Sequence, residues 1–192
     1  VLSIPEFTLH EGIYWLQGAN GTGKTTLLKT IAGLIPFTGK ITVGGTDIRQ
    51  HRRAYRRMVN WSDAEPQYPD FLTGTDLVQF YQQALSADAS AIAQILKLFG
   101  TDKYVHQKVS TYSSGMTKKL SLALAFAGKP KWILLDEPLI TLDTAAISSC
   151  LSLIDEYHQQ GVSFLITSHQ SFTDIAPFNT RMLRLENKTL HY

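Results

Sequence analysis

Gly18-Ala19-Asn20-Gly21-Thr22-Gly23-Lys24-Thr25 follows the spacing G-x-x-x-x-G-K-[ST], and each fixed residue in that spacing has a physical task. Gly18, Gly21 and Gly23 let the backbone curl so that successive N–H groups point inward at an anion. A helix is predicted to begin at about Lys24, and its N-terminus adds partial positive charge to the same spot. Lys24 would reach the β- and γ-phosphates of a nucleoside triphosphate and the Thr25 hydroxyl would ligate Mg²⁺, with Asn20, Thr22 and Thr26 completing the cradle. The flanks agree with this reading. Gly12-Ile13-Tyr14-Trp15-Leu16-Gln17 reads as a short buried strand before the loop, and Thr26 to Gly33 as an amphipathic helix after it.

Outward from this loop, strand and helix signals alternate, which predicts an α/β fold. Ile41-Thr42-Val43 is a short strand between turns, expected to form a small antiparallel sheet with Phe7-Thr8-Leu9, and Met58 to Trp61 is another short strand. Helical periodicity then runs through Thr75 to Ala84, Ala89 to Phe99 and Met116 to Phe126 with no strand between them. Strands return at Trp132 to Asp136 and Val162 to Thr167, both continuous apolar runs of the kind buried on two faces of a parallel sheet, with Thr144 to Gln160 as the crossover helix. Met182 to Leu185 and Thr189 to Tyr192 form a closing hairpin. The expected fold is a P-loop NTPase core with a mostly parallel sheet, a small antiparallel β subdomain and an inserted helical subdomain. One domain would cover residues 1–192, with the core at 1–65 and 129–192 and the helical part at 66–128.

Lys131-Trp132-Ile133-Leu134-Leu135-Asp136-Glu137-Pro138 is a Walker B pattern. An apolar strand would push Asp136 out at its carboxyl end, the edge at which α/β sheets bind ligands. There Asp136 could hold Mg²⁺ and Glu137 could polarise an attacking water.

With both nucleotide motifs in hand, the chain resembles the ATP-binding subunits of ABC transporters nearly end to end. Tyr112-Ser113-Ser114-Gly115-Met116 is similar to the family signature LSGGQ, keeping the serine and the second glycine and departing at three positions, and Lys118-Lys119-Leu120 and an alanine-rich helix follow it. Thr141-Leu142-Asp143 resembles the D-loop and Thr167-Ser168-His169 the switch-histidine motif. The resemblance implies that His169 contacts the γ-phosphate. It also implies that two such domains face head to tail, so that Ser113, Ser114, Gly115 and Asp143 of one copy meet the ATP held by the other. The family's Gln at the passage into the helical part is missing: Ala64 or Glu65 holds its place, and Glu65 there would be a carboxylate ligand to Mg²⁺ or water. Phe7, Tyr14 and Trp15 lie too near the P-loop strand to be the family's adenine-stacking aromatic and read as core, which places that residue upstream of Val1.

Composition constrains the partners. With 192 residues, 44% hydrophobic and 18% charged, the chain is an ordinary globular domain, and a net charge of +2 argues against a nucleic-acid surface. The basic run Arg49 to Arg57 reads as a solvated helix or loop face, with a lipid-headgroup contact as its rival. A single cysteine, Cys150, permits no internal disulfide and fits a reducing cytosol. No apolar run spans a bilayer and no signal peptide is read. The family resemblance therefore implies an ATPase at the cytoplasmic face of the membrane, held there by a separate permease that docks on the helical part near Glu65 to Leu77. A soluble ABC ATPase of translation or DNA repair is the alternative, though neither paired ATP domains nor a coiled coil is present. A P-loop kinase or GTPase is a third, without an N-K-x-D to read guanine.

Overall fold

The computed structural model describes residues 2–168 and 176–192. Strand β1 (Ile13–Gln17) runs into the glycine loop and helix α1 (Lys24–Ile31). A two-residue-strand hairpin, β2 (Thr42–Val43) and β3 (Thr46–Asp47), precedes α2 (Arg52–Met58) and β4 (Val59–Ser62). Three helices follow without a strand: α3 (Gly74–Leu85), α4 (Ala89–Leu98) and α5 (Ser114–Ala125). The chain closes with β5 (Trp132–Leu135), α6 (Thr144–Gln159), β6 (Ser163–Thr167), β7 (Arg181–Glu186) and β8 (Thr189–His191).

The main sheet has the order β4-β5-β6-β1-β7-β8. All its pairs are parallel except β7 with β8. Its central strands divide their side chains between two cores with the period of two that a pleat imposes. Ile13, Trp15, Ile133, Leu135, Phe164 and Ile166 pack on one face with α5 and α6, whereas Tyr14, Leu16, Leu134 and Leu165 pack on the other with α1 and α2. That two-sided burial is why these strands read as continuous apolar runs. Tyr14 and Trp15 are thus core residues, and Phe7 stacks on Tyr192. Cys150 is fully buried in α6, and burial pushes its thiol up to about 12.

One pairing departs from the sequence reading. Thr42–Val43 pairs antiparallel with Thr46–Asp47, and Phe7-Thr8-Leu9 is not a strand. Gly44 and Gly45 sit at φ +54° and +78°, the doubly left-handed turn that joins adjacent strands directly, so the chain folds back on itself before a distant partner can compete. The basic run forms α2, which buries Tyr55 and leaves Arg52, Arg53 and Arg56 exposed.

Candidate active site

The parallel strands deliver their carboxyl ends to one edge, and that edge gathers the candidate residues. α1 starts at Lys24 behind Gly23, which stands in the left-handed region at φ +104° and offers no side-chain cap. No acidic side chain lies in its first turn, so the first-turn N–H groups and their partial positive charge face the loop. Lys24 Nζ folds back across the loop, 2.6 Å from Gly18 O and 3.3 Å from Ala19 O. Asn20, Gly21, Thr25 and Thr26 are exposed at its mouth, with Thr22 behind them.

Thr25 and Asp136, far apart in sequence, meet directly: Thr25 Oγ1 donates to Asp136 Oδ2 at 2.7 Å. The other carboxylate oxygen, Oδ1, accepts from Thr167 Oγ1 at 2.6 Å. Asp136 is 2% exposed, and the donor set is a hydroxyl beside a carboxylate, the hard oxygens Mg²⁺ takes. Among the described residues no cluster of three or more His, Cys, Asp or Glu could hold a metal alone. That suits an ion held by two protein oxygens together with substrate phosphates and waters. Glu137 follows in the left-handed region at φ +45°, a conformation costing a residue with a side chain about 1–2 kcal/mol.

Two residues that the sequence reading did not assign stand behind these acids. Lys118, in α5, is 1% exposed and donates to Asp63 O at 2.6 Å, Ala64 O at 3.3 Å and Asp136 O at 2.9 Å. Burial lowers its pKa to about 8, against the opposing pull of Asp136. Thr167 accepts from Glu137 N at 2.9 Å. The sequence placed Lys118 just after the signature and Thr167 at the end of an apolar strand, but neither position marks a side chain as turned inward. His169 lies outside the described residues.

The signature residues form a second group with the D-loop. Ser113 caps α5, accepting from Met116 N at 3.2 Å, and Ser114 opens the helix. A side-chain carbon at Gly115 would come within 2.9 Å of Thr141 O, so the glycine admits the D-loop backbone. Asp143 caps α6 through Ala146 N at 2.8 Å and pairs with Lys119. Glu65 is exposed, beside Lys29, Asp63 and Gln67.

A glycine loop between a strand and a helix, an adjacent hydroxyl–carboxylate pair and a mostly parallel sheet define the class of P-loop nucleotide hydrolases. Comparison with known proteins narrows this. The family model described as ABC transporter matches residues 2–140. The cytochrome c biogenesis ATP-binding export protein CcmA of Yersinia pseudotuberculosis is 33% identical over 178 residues, covering 91% of this chain and 81% of that protein. A solved structure of the ATP-binding subunit of an ABC transporter matches with a TM-score of 0.85 at 25% identity, over 94% of this chain and 77% of that one. The ATP-binding cassette MJ0796, in a dimeric post-hydrolysis structure with ADP and Pi, shares the fold with a TM-score of 0.80 at 20% identity, over 95% of this chain and 84% of that one. The chain belongs to the ABC transporter family, as an ATP-hydrolysing subunit of a membrane transporter. Among its described residues no helix is long and apolar enough to cross a membrane.

Proposed function

We propose that the chain binds Mg-ATP on Gly18, Asn20, Gly21, Thr22, Gly23, Lys24, Thr25 and Thr26 and hydrolyses it in a head-to-tail dimer that drives export by a separate permease. The observation that carries this is the 2.7 Å hydrogen bond between Thr25 and Asp136, which ties the helix after the loop to the end of β5. Thr25 and Asp136 would hold Mg²⁺, and Glu65 is a further candidate ligand. An ion held there would supply charge neutralisation at the phosphates. Lys24 supplies the direct positive contact to the β- and γ-phosphates, Glu137 takes the proton of the attacking water, and His169 is assigned to the γ-phosphate. Ser113, Ser114, Gly115 and Asp143 are assigned to the ATP of the partner copy, with the N-terminus of α5 as the anion site.

The division into a core (1–65, 129–192) and a helical part (66–128) is proposed on the uninterrupted run α3 to α5 between β4 and β5. Permease docking on that part is supported by Phe71 and Phe80, which are 74% and 66% exposed beside the Glu65 passage and on α3. Such docking would hold the chain peripherally at the cytoplasmic face. Export as the direction rests on the likeness to the CcmA proteins.

Lys24→Ala tests the reading. Loss of a charge contact made to the transferring phosphate should lower hydrolysis by about 10²–10³-fold. The melting temperature should hold, because among the described residues Lys24 bonds the loop's own carbonyls alone. A folded Lys24→Ala protein with the parent's ATPase rate would refute the assignment.

A further inference from the structure

The peptide group joining Asp136 to Glu137 is gripped from both sides. Its carbonyl accepts from Lys118 Nζ at 2.9 Å, and its N–H donates to Thr167 Oγ1 at 2.9 Å. Thr167 passes its own hydroxyl hydrogen to Asp136 Oδ1 at 2.6 Å, so one side chain fixes both the backbone and the carboxylate. The clamp is sealed from water, with Lys118 and Thr167 at 1% and 0% exposure. It closes on a residue in an unfavourable conformation, Glu137 at φ +45°. The orientation of a peptide plane sets the direction in which both flanking side chains leave the backbone. The same ammonium also holds Asp63 O and Ala64 O, so the Asp136–Glu137 peptide and the passage from β4 toward α3 share one anchor. A buried ammonium is a poor way to fill an apolar helix face, where a methionine of similar length would avoid the desolvation.

We propose that Lys118 and Thr167 are positioning residues for hydrolysis, clamping the Asp136–Glu137 peptide so that metal ligand and base keep one mutual geometry. The proposal rests on the hydrolytic reading of those two acids. Thr167→Val removes the hydroxyl at constant shape, Thr167→Ser keeps it, and Lys118→Met removes the ammonium at similar length. In nucleotide-free protein, amide exchange at Glu137, referenced to amides of β5, should speed about tenfold or more in Thr167→Val and Lys118→Met and stay near the parent rate in Thr167→Ser. With Mg-ATP, kcat should fall about tenfold in the first two variants while KM stays within about threefold, and Thr167→Ser should recover kcat.

Unchanged Glu137 exchange in Thr167→Val overturns the proposal. So does a parent-like kcat in folded Thr167→Val, or a fall in kcat matched by a rise in KM. If Lys118→Met does not fold, the Thr167 pair decides alone. If the parent itself fails to hydrolyse ATP, the functional reading fails, while the nucleotide-free exchange still judges the clamp.

Discussion

Glu65 stands at the mouth of a recess of about 350 Å³ shared with Lys29, Asp63 and Gln67. Asp63 is paired with Lys29 at 2.8 Å, and Lys118 fixes the carbonyls of Asp63 and Ala64. Glu65 is therefore the first side chain beyond an anchored stretch of backbone, and we assign it the place of the family's glutamine. With Glu65 in that place, Glu65→Gln should tighten ATP binding about fivefold, because exchanging a carboxylate for a neutral amide beside bound phosphates would relieve about 1 kcal/mol. Ala64→Gln should leave affinity near the parent's. Nucleotide titration of both variants measures this, and tightening by Ala64→Gln alone would reverse the assignment. The P-loop and Asp136–Glu137 were legible in the sequence because phosphate chemistry needs particular residues at fixed spacing. Lys118 and Thr167 were not, since a helical lysine and a strand-end threonine ordinarily face water. The packing of α5 against β4 turns Lys118 inward, and the place of β6 beside β5 brings Thr167 to Asp136 and Glu137.

Among the elements, α3, α4 and α6 have an aspartate bonded into their N-terminal caps. Asp76 closes a capping box with Thr73, Asp88 accepts from Ala91 N, and Asp143 accepts from Ala146 N. The hydrogen bonds from Thr73 to Asp76, from Ser90 to Asp88 and from Lys119 to Asp143 hold all three carboxyls below the usual aspartate range. A group depressed in the folded state stabilises it above the unfolded pKa, and that contribution fades as pH falls through the folded value. Acidification below about pH 4 should therefore loosen the first turns of α3, α4 and α6. The first turn of α5, capped by Ser113, should keep its protection at the same pH. Amide exchange across an acid series would show this, and loosening of all four helices together would contradict it. These helices were legible because their apolar period is long and unbroken. The β2–β3 hairpin was not: two-residue strands carry no period, and only the Gly44-Gly45 turn distinguishes the local partner from a distant one.

For the whole molecule, the separation of the signature from the P-loop bears on assembly. Ser113 and Gly115 lie at the start of α5 and against the D-loop, grouped with Asp143 rather than with the P-loop. If that group serves a second copy's nucleotide, a variant that binds but cannot hydrolyse should trap the pair. Glu137→Gln with saturating Mg-ATP should shift sedimentation from monomer to dimer, and the dimer should disappear when Lys24→Ala is added. A purely monomeric Glu137→Gln protein at saturating Mg-ATP would count against a shared site in the isolated chain.

The strand order has a consequence during synthesis. β1 (residues 13–17) lies between β6 and β7, whose residues are 163–167 and 181–186 and are made long after it. At about 5–20 residues per second, a ribosome leaves that strand without either neighbour for on the order of ten seconds or more. Through that interval Ile13-Tyr14-Trp15-Leu16 is an apolar segment with open edges, already followed by a finished glycine loop. Nucleotide cannot rescue it, because Asp136 and Thr167 are not yet in place. Slowing translation before the codon for Ser163 should therefore raise the aggregated fraction of nascent chains rather than lower it.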